Sequence, residues 1–93
     1  MDVGHFAAEP GVISAAGVPE FEYNLALARE VGAAVRAQGM EPRMIGERGD
    51  YAVLHHRTRD ARGADLFVSI HHDSVKERLL PRAAEFSGFS LFI

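Results

Sequence analysis

The chain has 93 residues, 47% of them hydrophobic and 25% charged, and a net charge of −3 with neutral histidine; this composition excludes collagen-like, coiled-coil and disordered chains. It contains no cysteine, which removes disulfides, thiolate metal sites and a cysteine nucleophile and leaves His, Asp and Glu as the possible metal ligands. No apolar run approaches the roughly 20 residues of a membrane-spanning helix, and the Arg residues are interleaved with acids rather than gathered in a stripe, which argues against a nucleic-acid partner.

Taken in chain order, Asp2-Val3-Gly4-His5 reads as the stub of a strand running into a histidine. Residues 7–19 are rich in Gly, Ala, Pro and Ser without a steady period and are expected to form a loop. Phe21, Leu25, Ala28, Val31 or Gly32 and Val35 then recur at spacings of three and four, which predicts a helix over residues 20–38 with Pro19 and two acids at its start and Gly39 as its stop. Residues 42–45 are a short apolar run, read as a strand, and Asp50 is a candidate N-cap. Tyr51, Leu54, Thr58 and Ala61 mark a second helix ending near Gly63. Residues 64–71 are nearly continuous apolar, as in a strand buried on both faces of a parallel sheet. Residues 73–87 read as an irregular loop and residues 88–93 as a final strand. Strands alternating with helices predict an α/β fold, a mainly parallel sheet flanked by helices, with ligands gathered at the carboxyl ends of the strands.

Two of the five histidines, His5 and His71, fall at those carboxyl ends, and Glu20 sits where the loop after His5 meets the first helix. Two imidazoles and one carboxylate are a ligand set of catalytic zinc sites, which keep a position open for water. A metal so held acidifies water and polarises a carbonyl. His72 is expected to point away from His71, because neighbours on a strand face opposite sides, and to form a groove wall or face solvent. His55 and His56 are read as surface residues of the second helix, Arg57 as structural, and Arg48 as contacting substrate or an acid.

The text Asp2-Val3-Gly4-His5, Pro10-Gly11, Gly17-Val18-Pro19-Glu20, Asn24-Leu25-Ala26-Leu27-Ala28, Glu47-Arg48, Leu54-x-x-Arg57 and the run from Ala64 to His71 resembles the zinc-dependent N-acetylmuramoyl-L-alanine amidases, the amidase type 3 family. The resemblance runs in order over essentially the whole chain and is most specific at Ser69-Ile70-His71. It implies one Zn²⁺ held by His5, Glu20 and His71, and peptidoglycan as substrate, cleaved at the amide between N-acetylmuramic acid and L-alanine. It also implies a periplasmic or extracellular location for the full protein. Departures are Phe6 and Arg62, where the family often has Gly and Asn, and His72-Asp73 in place of a more common Ala-Asn. The family's catalytic glutamate lies on a later strand and is expected beyond Ile93; Glu9, Glu22 and Glu47 do not match it. Residues 1–93 therefore read as one partial amidase catalytic domain, truncated at both ends. The alternative is a non-catalytic metal- or glycan-binding fragment, with self-association through exposed sheet edges a further expectation.

Overall fold

The computed structural model describes residues 1–6, 8–9, 11, 13–14, 16–72, 77–86 and 88–92. Strand β1 (Asp2–Val3) leads through a loop to helix α1 (Glu20–Ala37). A second loop carries helix α2 (Leu54–Asp60), strand β2 (Ser69–Ile70) follows, and a 3₁₀ helix spans Glu77–Phe86. β1 and β2 pair in parallel, Asp2 opposite Ser69 and Val3 opposite Ile70. On its other side β1 meets Ile45 in a single parallel bridge, tied by Val3 N to Ile45 O at 2.9 Å and Ile45 N to Met1 O at 2.8 Å. The chain is thus α/β with parallel pairing, as expected, and β1 runs through the middle.

The core is built where α1 lies on this narrow sheet. Val3, Phe21, Ala28 and Ile45 are buried, with Met1, Leu25, Met44 and Ile70 packed partly against them. Along α1 the buried positions are Glu20, Phe21, Asn24, Ala28 and Gly32. That stripe follows the helical repeat, but it is rotated from the purely apolar face toward Asn24. Leu25, Val31 and Val35 sit at its margin, half-buried. The helix stops at Ala37 with Gln38 as its C-cap and Gly39 in the left-handed region at φ 86°, which matches the expected stop within a residue.

Described residues of the loop before α1 are tied by two bridges. Phe6 pairs with Glu9, and Ile13 with Pro19, each in an antiparallel bridge. The second is closed by Ser14 N to Val18 O and Gly17 N to Ser14 O, both 2.9 Å. The second bridge includes Pro19 itself, which is the N-cap, with Glu20 at the first helical position.

Several expected elements are shorter than the sequence implied. The strand over 64–71 contracts to Ser69–Ile70, and Leu66 stands 76% exposed, so this run is not covered on both faces. The strand over 42–45 is reduced to the Ile45 bridge. Residues 88–92 form no strand, and Phe92 is 94% exposed; Ile93 lies outside the described residues. Among the described residues these runs gain no ladder partner beyond β1, and a ladder needs a second chain segment at the right height. Asp50 does not cap α2, which begins at Leu54 with Val53 at the cap position. Part of the expected irregular loop, Glu77–Phe86, is a 3₁₀ helix; residues 73–76 and 87 lie outside the described residues. Among the described residues no helix is long and apolar enough to cross a membrane.

Candidate metal centre

Three remote positions meet beyond the paired strands. His5 follows β1 by two residues, His71 directly follows β2, and Glu20 opens α1. Glu20 links the other two: its Oε2 lies 3.1 Å from His5 Nε2 and its Oε1 lies 3.1 Å from His71 Nδ1. One potential ligand atom from each residue falls within 4.8 Å of the others, and among the described residues no other group of three or more His, Asp or Glu does so. In a tetrahedral site with metal–ligand bonds of about 2.0–2.1 Å, ligand atoms stand roughly 3.3 Å apart. Each imidazole nitrogen stands 3.1 Å from a Glu20 oxygen, close to that spacing, and one ligand atom from each of the three residues lies within 4.8 Å of the others; the donor chemistry suits a borderline-soft divalent cation.

Each donor is placed by its own local device. His5 adopts a left-handed backbone at φ 64°, and it is the only non-glycine to do so among the described residues. That conformation costs a β-carbon-bearing residue about 1–2 kcal/mol, so the surroundings must hold it there. They include Arg57, whose Nη2 donates to His5 O. His71 is set by the β1–β2 register, with Gly4 N donating to Ile70 O at 3.0 Å. Glycines make the space. A β-carbon on Gly4 would stand 2.5 Å from His71 Cε1, and one on Gly11 would stand 2.6 Å from Glu20 Oε2 and 2.8 Å from His5 Nε2.

Glu20 is buried, yet all its oxygens have partners. Oε1 accepts from Asn24 Nδ2 at 3.2 Å and from the His72 amide at 3.1 Å in addition to its contact with His71. Burial alone pushes its pKa upward, but the His72 amide, the Asn24 amide and the two neighbouring imidazoles together outweigh that and hold it below the ordinary value. The carboxylate is therefore ionised at neutral pH, the state in which a carboxylate can act as a metal ligand.

Other candidates fall elsewhere. His72 turns its ring to other partners than His71 and is half-buried rather than freely solvated. Its Nδ1 lies 2.9 Å from Asn24 Oδ1, and its ring sits half-buried beside Tyr23. His55 and His56 contact each other edge-on on α2. Arg57 is structural, as expected, 4% exposed and paired with Asp2 at 2.7 Å. Arg48 is exposed and makes no ion pair with a described acid. Glu22 is exposed, and Glu47 pairs with Arg29 at 3.1 Å. Glu9 lines a cavity of about 310 Å³ beside the triad, together with His5, Phe6, Tyr51, Leu54 and His71.

Sequence reasoning passed over Asn24 as a site residue. It is fully buried and bonds to Glu20, His72 and, at 3.2 Å, Gly4 O. The available signal was a lone amide one helical turn after Glu20 on a face that is otherwise apolar.

Comparison with known proteins places these residues in a family context. The family profile described as N-acetylmuramoyl-L-alanine amidase (amidase type 3) matches residues 1–93. The N-acetylmuramoyl-L-alanine amidase AmiA of Salmonella typhimurium strain LT2 is 36% identical over 93 residues, covering 98% of this chain and 31% of that protein. AmiA of Escherichia coli strain K12 is 34% identical over the same share of each. The chain thus spans about a third of the length of the curated relatives it matches.

Proposed function

The chain belongs to the N-acetylmuramoyl-L-alanine amidase family, and we propose that His5, Glu20 and His71 hold one Zn²⁺ with which the protein hydrolyses the amide between N-acetylmuramic acid and L-alanine in peptidoglycan. The observation that carries this reading is the convergence of two imidazoles on opposite oxygens of one buried, ionised carboxylate. When bound, the metal supplies Lewis acidity that acidifies water and polarises the scissile carbonyl.

The chain's own residues do the rest. His5 and His71 would contribute nitrogen donors and Glu20 a carboxylate oxygen. Asn24 and the His72 amide keep Glu20 turned toward the two histidines. With Oε1 taken by three contacts and Oε2 by His5, Glu20 is not free to carry a proton. Hydrolysis here draws its proton carrier from another carboxylate, the role a glutamate fills in the family. The adjoining cavity, walled by Phe6, Tyr51 and Leu54, offers an apolar-sided recess against which a sugar–peptide junction can lie. A peptidoglycan substrate supports a working location outside the cytoplasmic membrane, in the periplasm or beyond.

The test separates binding from catalysis. His71→Ala is expected to abolish zinc retention after dialysis, measured by elemental analysis, whereas His72→Ala retains it, because only the His72 amide touches Glu20 and the substitution keeps that amide. Equal zinc content in the two variants would sink the ligand assignment. The same preparations are then incubated with purified peptidoglycan. Release of stem peptides by the wild-type protein supports the amidase, while zinc retention without release supports a non-catalytic metal- or glycan-binding role.

A further inference from the structure

We infer that Arg57, on α2, is the positioning residue that holds His5 in its left-handed conformation and so sets the first metal donor; this rests on the reading of His5 as a ligand. The guanidinium reaches across from α2 to four oxygens. Nη1 donates to Asp2 Oδ1 at 2.7 Å and to Val3 O at 2.5 Å, and Nη2 donates to His5 O at 2.5 Å and to Tyr51 O at 3.0 Å. Three of these acceptors are backbone carbonyls, and two belong to the segment that leaves β1 for the site. Nε, by contrast, is buried with no partner. An ion pair serving only to neutralise Asp2 does not need its fork turned this way. The planar fork can grip several oxygens at fixed angles, which an ammonium cannot.

The consequence for the site follows from the backbone. At φ 64° the His5 carbonyl accepts from Arg57 while its ring places Nε2 3.1 Å from Glu20 Oε2 and sits edge-on to His71 at 5.3 Å between centroids. Releasing the carbonyl lets His5 fall back to negative φ, which L-residues favour, and swings the ring away from Glu20. The Asp2 carboxylate is anchored separately by Ser69 Oγ at 2.7 Å. Ser69 therefore belongs to the same network without touching His5.

The experiment compares Arg57→Lys with Ser69→Ala in the intact protein. In metal-free samples, NMR scalar couplings read the sign of the His5 φ, and ring-to-ring contacts read its distance from His71. Wild type and Ser69→Ala are expected to keep positive φ, and Arg57→Lys to lose it. With metal added, Arg57→Lys is expected to bind Zn²⁺ about 10–100-fold more weakly, in the range of other supporting-residue losses, and to show an altered visible spectrum with Co²⁺. Ser69→Ala keeps the affinity and spectrum of wild type even where its melting temperature falls. If Arg57→Lys does not fold, Asp2→Asn combined with Arg57→Met removes both interior charges together and is expected to give the same loss of positive φ. Positive φ retained in either Arg57 variant overturns the inference. Zinc retention that is no better in wild type than in His71→Ala overturns the metal reading instead, and the coupling measurement still decides what Arg57 does to His5.

Discussion

Asn24 ties together three separate parts of the site through a single side chain. Its Nδ2 donates to Glu20 Oε1 and to Gly4 O, both at 3.2 Å, and its Oδ1 faces His72 Nδ1 at 2.9 Å. One amide thus links the start of α1, the turn after β1 and the end of β2. Removing it strands a buried carbonyl and loosens a buried carboxylate. Each orphaned group costs about 1–3 kcal/mol, and residues that orient metal ligands typically govern about 10–100-fold in affinity. Asn24→Leu, which preserves bulk, is therefore expected to lower unfolding free energy by about 1–3 kcal/mol and to weaken zinc binding by at least tenfold. Urea melts and competition against a chelating dye measure the two effects. Lost stability with unchanged zinc affinity would show that Asn24 props the fold and not the ligand.

At the scale of elements, α1 shows what an apolar period can and cannot reveal. The spacing of Phe21, Ala28 and Gly32 announces a helix of the right length, because that period is a property of the segment itself. Its rotation is set by the sheet it meets, and the sheet side turns out to include Asn24, with Gly32 rather than Val31 buried on it. Gly32 faces Met44 and Pro42, and a β-carbon there would meet Met44 Sδ at 3.6 Å and Pro42 Cβ at 3.9 Å, ordinary contact distances. Gly32→Ala is thus expected to stabilise the protein by about 0.5–1 kcal/mol through helix propensity, read from the urea midpoint at unchanged slope; destabilisation would mean that α1 sits closer to residues 42–44 than described. The strands were harder to read. Residues 64–71 have strand composition, but only Ser69 and Ile70 find β1 alongside. Pairing depends on a segment more than sixty residues away, which no local pattern records. The triad was legible for a different reason. His5 and His71 follow strand-like runs and Glu20 opens a helix, so parallel topology alone predicts that they meet. The support from Asn24 and Arg57 was not legible as such, since its geometry depends on how helices and strands are spaced in three dimensions.

For the whole molecule, the site and the stability of the fold are coupled. The buried hydrophobic residues are few, Val3, Phe21, Ala28 and Ile45, and the sheet they sit on has two paired residues per strand. The triad joins the end of β1, the start of α1 and the end of β2, the three elements whose mutual packing defines that core. A cation held by all three residues binds the folded chain and has no comparable site in the unfolded one. It therefore stabilises by mass action, by about 2.7 kcal/mol when free metal is a hundredfold above its dissociation constant. For a folding unit of this size that corresponds to a rise in Tm of roughly 10–20 °C. Calorimetry with zinc at that excess against the same sample in EDTA is expected to show the rise in wild type and little of it in His71→Ala. The rise should grow with the logarithm of free zinc, as linkage to a single site requires. A wild-type Tm indifferent to chelation would mean that the three donors meet without a metal to hold. The strand register, the Arg57 hold on His5 and the Glu20 contacts to the two histidines would then account for their convergence.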